Sequence, residues 1–145
     1  METVNVKITL GSSWFNNPPK VRVNIGDQVL FDGEIKDTVT IDESLDLDEQ
    51  DHQLKITLYD KSKYDTRMVD GKIVEDTLIH IKTFEMEDID LKQILSLDGE
   101  KFCYEHDTNG SAELKRHVLH DTLGCNGTAT INFTSPFYIW LLENL

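Results

Sequence analysis

Residues 3–10 read Thr-Val-Asn-Val-Lys-Ile-Thr-Leu, polar and apolar in strict alternation. Side chains on a strand alternate faces, so this period of two predicts a strand with one dry face and one wet face. The same period returns along the chain. Residues 20–25 put Val21, Val23 and Ile25 on one face, and Gly26-Asp27 supplies a tight turn into a second strand over 28–35. Residues 38–47 carry Val39, Ile41, Leu45 and Leu47 in phase, with Glu43 as the exception that a bend or a sheet edge tolerates. Residues 53–59 align Leu54, Ile56 and Leu58, and Asp70-Gly71 marks a short hairpin. Over residues 77–86 the apolar phase slips by one between Ile79 and Ile81 and Phe84 and Met86, which a β-bulge absorbs.

The remainder is less regular. In residues 89–97, Leu91, Ile94 and Leu95 have helical spacing over a length that suits a strand or a single helical turn. Residues 98–127 form an irregular excursion, with turn signals at Asp98-Gly99, Asn109-Gly110 and residues 124–127 around a hairpin. Alternation resumes over 128–133 and breaks at Pro136. The continuous apolar run 137–142 then docks against its own core or a neighbour. Half-buried strands in this number must cover one another's apolar faces. The expectation is therefore one all-β domain over residues 1–145, an antiparallel two-sheet β-sandwich that is jelly-roll-like.

Charge narrows the partners. Fourteen Lys and Arg stand against 27 Asp and Glu, a formal charge of -13, so the phosphate attraction behind nucleic-acid binding is missing. An anionic membrane surface is repelled for the same reason, and no run approaches the ~18 apolar residues of a spanning helix. Cations, neutral glycans and basic protein surfaces remain. The chain shows no secretion-signal pattern, so synthesis in the cytoplasm is expected, with Cys103 and Cys125 as thiols rather than a disulfide. Sequons at Asn109, Asn126 and Asn132 are read as chance in that compartment.

No nucleophile signature appears, and the five histidines do not form a triad pattern, so no enzyme is expected. Four aromatics near strand ends, Trp14, Phe15, Tyr59 and Tyr64, have the chemistry of a sugar-stacking platform in which nearby Asn and Asp fix hydroxyls. The competing reading folds Trp14 back as a loop anchor. Loop carboxylates at Asp32, Asp37, Asp60, Asp65, Asp70 and Asp76 offer the oxygens calcium wants, or are simply solvated. Cys103-x-x-His106, His117-x-x-His120 and Cys125 have zinc-ligand chemistry, against the alternative of plain thiols and solvent-exposed histidines. At the C-terminal end Phe137, Tyr138, Trp140 and Leu142 are interface candidates, with Trp140 assigned to core or interface.

Two resemblances add to this reading. Residues 21–91, with the Pro18-Pro19 entry, the Val-Arg-Val-Asn strand, Leu-Lys-Ile-Thr-Leu-Tyr-Asp over 54–60 and Met-Glu-Asp-Ile-Asp over 86–90, resemble the calcium-dependent xylan-binding carbohydrate-binding modules. That resemblance implies a jelly-roll sandwich and a loop calcium that contacts sugar hydroxyls, with Asp60 and Asp65 as its positions here. An Asn-Asp pair expected after Tyr59 is missing. The whole chain, with Ile-Thr-Leu-Gly-Ser-Ser-Trp-Phe over 8–15 and the Pro-Phe-Tyr-Ile-Trp-Leu-Leu ending from 136, also resembles small proteins of contractile-tailed phages of marine cyanobacteria. Together they imply a non-catalytic binding or structural module, carried on a virion and facing virion proteins or a host-surface glycan. The alternatives are a calcium-dependent glycan-binding module outside a virion and a small zinc-stabilised interaction protein. Self-association into a homo-oligomer stays open.

Overall fold

The computed structural model describes residues 1–94, 102–107 and 113–144. Among them two large antiparallel sheets pack face to face, so the chain is an all-β sandwich. The first sheet has the order β12 (Thr122–Leu123), β8 (Leu78–Met86), β1 (Glu2–Ser13), β4 (Thr38–Leu47), with β9 (Ile89–Asp90) pairing on β8. The second runs β11 (Lys115–Val118), β10 (Phe102–His106), β13 (Gly127–Thr134), β5 (Asp51–Tyr59), β2 (Lys20–Ile25), β3 (Gln28–Glu34). Apart from the hairpins, consecutive strands alternate between the sheets, the connectivity expected of a jelly-roll-like fold. A two-stranded arm, β6 (Arg67–Val69) and β7 (Lys72–Glu75), belongs to neither sheet.

The alternating residues do what their spacing demands. Val4, Val6, Ile8 and Leu10 are fully buried, and they meet Val21, Val23, Leu54, Ile56, Leu58, Ile131 and Phe133 from the other sheet in one core. Each large side chain withdrawn from water contributes about 1.5–3 kcal/mol. Glu43, the residue out of character, lies opposite Val6 on β4, the edge strand, where its carboxylate reaches water. The expected bulge is present in β8: Thr9 pairs with Thr83 and Leu10 with Ile81, leaving Lys82 as the extra residue, so Ile79, Ile81, Phe84 and Met86 are all inward.

The turns follow their residues as well. Gly26-Asp27 joins Ile25 to Gln28 with Gly26 at φ 54°, and Asp70-Gly71 joins Val69 to Lys72 with φ of 54° and 77°. In the Asp70-Gly71 turn, positive φ at both central residues matches the strand twist. Another turn of that kind has no glycine. Glu87 and Asp88 adopt φ of 52° and 61° between Met86 and Ile89, held because the Glu87 carboxylate accepts from Asn5 N at 2.7 Å while its N–H donates to Asn5 O at 2.9 Å.

The mixed stretch after residue 88 divides into β9 and a 3-10 turn, Lys92–Ile94, and its continuation lies outside the described residues. The excursion contains the β10–β11 hairpin and β12; the turn signals Asp98-Gly99 and Asn109-Gly110 lie outside the described residues. The apolar ending is a helix, α1 (Phe137–Asn144), whose N-terminal donor Phe137 N is met by the Glu2 carboxylate at 2.6 Å. The four residues expected at an interface divide by helical geometry. Phe137 and Trp140 enter the core, Trp140 against Phe102, Phe133 and Phe137 with ring centroids 5.9–6.2 Å apart, while Tyr138 and Leu142 point to solvent beside Ile139.

Candidate functional site

The end of the sandwich where β5 finishes is built from three loops. Residues 14–19 leave β1, residues 60–66 leave β5, and residues 124–126 lead into β13. Asn16 Nδ2 donates to Tyr64 O at 3.3 Å and Asn17 Nδ2 to Asp65 Oδ1 at 3.2 Å, which lays the first loop on the second. Asn126 exchanges two 2.8 Å bonds with the Lys61 backbone and ties the third loop in. The result is a cavity of about 290 Å³ walled by Asn17, Pro19, Lys20, Glu34, Tyr59 and Asp60, with Asp65 and Thr77 at its floor.

Two charges hold this end together from inside. Asp65, 4% exposed, closes the 3-10 turn Lys63–Asp65 as a capping box: its Oδ2 accepts from Ser62 N at 2.9 Å while Ser62 Oγ accepts from Tyr64 N at 3.2 Å. Lys61 buries an ammonium that donates to Asp76 Oδ1 at 2.6 Å and to the Gly124 carbonyl. The same Asp76 oxygen accepts from Thr66 Oγ1 at 2.7 Å and Thr77 N at 2.8 Å.

That arrangement counts against the calcium reading of Asp60 and Asp65. Both border the cavity, yet Asp60 points to solvent and pairs with Lys20 at 3.6 Å, while both Asp65 oxygens are already taken by donors. Calcium needs six to eight oxygens turned toward one point. Here the cation beside the half-buried carboxylate Asp76 is Lys61, and the residues do not fit calcium.

The four-ring platform is not assembled either. Trp14 is anchored as its alternative reading had it, Nε1 donating to Lys36 O at 2.8 Å, and it and Phe15 are 40% and 38% exposed. Tyr64 stands in solvent with the Lys63 ammonium 5.2 Å above its ring. Only Tyr59 borders the cavity, on the outer face of the second sheet. Its hydroxyl donates to Asp32 Oδ1 at 2.6 Å, Arg22 Nε donates to Asp32 Oδ2 at 3.3 Å, and the Arg22 guanidinium lies 5.6 Å from the Tyr59 ring centre. The Tyr59 hydroxyl holds the Asp32 carboxyl below its ordinary range, and the same bond raises the Tyr59 phenol. Arg22 was not singled out from sequence and Asp32 only among the loop carboxylates offered to calcium, although the polar phase of residues 20–24 and 53–59 already marks this face. From Tyr59 the face continues through Thr57, Lys55 and Gln53 and through Thr128, Thr130 and Asn132, with Thr57 and Thr128 hydroxyls 3.1 Å apart. A shallow hollow of about 340 Å³ on it extends to Glu105 and Arg116.

A larger hollow of about 740 Å³ lies at the opposite end, between α1 and the ends of β5 and β13. Much of its polar lining is already engaged: His52 Nε2 bonds Asp48 O at 2.8 Å, Gln53 Nε2 donates to Asn132 at 3.0 Å, and Asn144 Nδ2 to Trp140 O at 2.6 Å.

The zinc set divides by pleat. Cys103 pairs with Thr130 on the outer face, whereas His106 and His117 share the inner-facing phase of Tyr104, because residues three apart on a strand point to opposite sides. Cys103 is therefore removed from the histidines. His106 and His117 do meet, Nε2 to Nε2 at 2.9 Å, and His120 lies with its ring centre 5.7 Å from that of His117. Cys125 is bound through its backbone to the Tyr104 hydroxyl, and burial raises its thiol. Among the described residues, as they stand, no group of three or more His, Cys, Asp or Glu side chains is placed to hold a metal ion. No protein-family model matches the chain, and neither the curated proteins nor the solved structures yield a match.

Proposed function

We propose that this chain is a non-catalytic glycan-binding module of the carbohydrate-binding-module type, carried as a virion-associated protein. Its contact surface is the outer face of the second sheet running into the loop cavity at Tyr59. One observation carries the reading: Arg22, Asp32 and Tyr59 fix one another on an exposed strand face beside a polar cavity. Such a face needs little reordering to receive a sugar. Arg22 keeps further N–H donors and Asp32 further lone pairs for hydroxyls, and Tyr59 offers ring edge and face. The resemblance of the chain to tailed-phage proteins supports use on a particle.

The test is retention on a polysaccharide array with and without chelator. The expected result is binding that survives chelator, that Tyr59→Ala and Arg22→Ala each remove, and that Trp14→Ala spares. Unchanged binding in Tyr59→Ala and Arg22→Ala variants that keep wild-type circular dichroism sinks the assignment of this face.

A second reading has its own observation. The β6–β7 arm exposes Met68, Val69, Ile73 and Val74, which alternate between its two faces, and α1 exposes Tyr138, Ile139 and Leu142. A two-stranded ribbon is marginal alone in water, so an assembly role is favoured for it. Sedimentation with purified particle components tests this, and a chain that stays monomeric and unbound at every concentration removes it.

A further inference from the structure

His106 on β10 and His117 on β11 project beyond the end of the core, partly open to solvent. The nitrogen that each ring turns away from the other is in contact with a main-chain carbonyl: His117 Nδ1 with Val118 O at 2.7 Å and His106 Nδ1 with Asp107 O. A carbonyl oxygen only accepts, so both Nδ1 atoms carry the hydrogen. In the neutral rings both Nε2 atoms are then bare lone pairs, and these face each other across 2.9 Å. Two acceptors at that distance repel unless something positive lies with them.

We propose that His106 and His117 form the fixed half of a binding site for a divalent d-block cation of the nickel, copper and zinc group, with His120 as a third ligand.

Three features support a built site over two rings meeting by chance. The carbonyls act as outer partners of the kind that orient metal-binding imidazoles, setting the tautomer and turning Nε2 inward. The Tyr104 ring supports both, its centre 4.6 Å from that of His106 and 5.6 Å, edge-on, from that of His117, and Tyr104 is itself anchored by the Cys125 backbone. Gly127 lets β13 approach under His106, since a Cβ there would stand 2.2 Å from Glu105 O and 2.5 Å from His106 Cα.

The chemistry selects the class of ion. Neutral imidazole suits Ni²⁺, Cu²⁺ and Zn²⁺ and not the oxygen-seeking Ca²⁺ or Mg²⁺. With metal–nitrogen bonds of roughly 2.0–2.1 Å, neighbouring ligands about 90° apart have nitrogens about 2.9 Å from each other, whereas a tetrahedral ion needs about 3.3 Å, within reach of a small ring rotation. The His120 side chain is exposed and can turn toward the pair, and water completes the coordination. Lys115, across from His106, is exposed and long enough to keep its ammonium in water.

The experiment uses the full chain without a polyhistidine tag, stripped with chelator, then titrated with Ni²⁺, Cu²⁺ or Zn²⁺ by calorimetry and thermal melting. The expected result is one equivalent bound with a raised melting temperature, and no response to Ca²⁺ or Mg²⁺. His106→Ala and His117→Ala each abolish the response and His120→Ala weakens it, all three keeping the wild-type melting temperature in chelator. Two outcomes overturn the proposal. One is an absence of stoichiometric uptake of all three ions, with nitrogen NMR showing only a proton shared between the two rings. The other is uptake that persists in both single variants, which would move the site to His52 or His80.

Discussion

Two clusters in this sandwich have the residue types of a metal site, and hydrogen-bond accounting separates them. Around Asp65 and Asp76 the acceptors are matched by donors within the chain: Ser62, Asn17, Thr66, Thr77 and the Lys61 ammonium. Around His106 and His117 the donors are spent on carbonyls and two acceptors are left face to face. The carboxylate cluster carries its own cation and the imidazole cluster asks for one. Residue type alone had pointed to calcium at the first; counting protons reverses the emphasis.

The sharpest way to break the comparison is to remove the internal cation. Lys61→Met leaves the Asp76 carboxylate without its partner among side chains that are 2% and 16% exposed, and the expected loss is about 3–5 kcal/mol in urea unfolding. A loss under about 1 kcal/mol would mean that water reaches the pair. Next in size, Asp65→Ala opens the capping box and strands the Ser62 and Asn17 donors. About 2 kcal/mol of stability should go, with faster proteolysis confined to the 60–66 loop.

The third test concerns the platform under the imidazoles. Burial raises the Tyr104 phenol above its ordinary 10.0, so the folded state holds the proton more tightly than the unfolded chain does. That contribution is complete below pH 10 and is lost as pH rises beyond it. Tyr104→Phe should lower stability at pH 8 and flatten the decline in urea midpoint above pH 10; an unchanged slope would remove Tyr104 from the account. The smallest effect expected is none: millimolar calcium should leave the melting temperature where it is, and a clear rise would reopen Asp60 and Asp65.

Much of the scaffold was legible because it rests on local rules. Alternation marks the inward side chains, the phase slip in β8 marks the bulge at Lys82, and Gly26 and Gly71 mark turns that need positive φ. The Glu87-Asp88 turn was not legible, since its φ values are held by Asn5, which is remote in sequence. The site was legible only in part. Tyr59, Asp60 and Asp65 do border one cavity, but Arg22 and Asp32, which join Tyr59, come from β2, which only sheet pairing brings beside β5, and from β3, one strand further out. The spacing Cys103-x-x-His106 looked like a ligand pair, and a strand places its two members on opposite faces.

Sequence by itself determined the fold class, the inward faces and the net charge of -13, because burial period and net charge are properties of the chain taken in order. Tertiary structure decided which polar atoms meet and which protons they hold. Those are properties of neighbours: the Lys61–Asp76 contact exists only once the loop after β5 closes on residue 76, and the His106–His117 contact only once β10 pairs with β11.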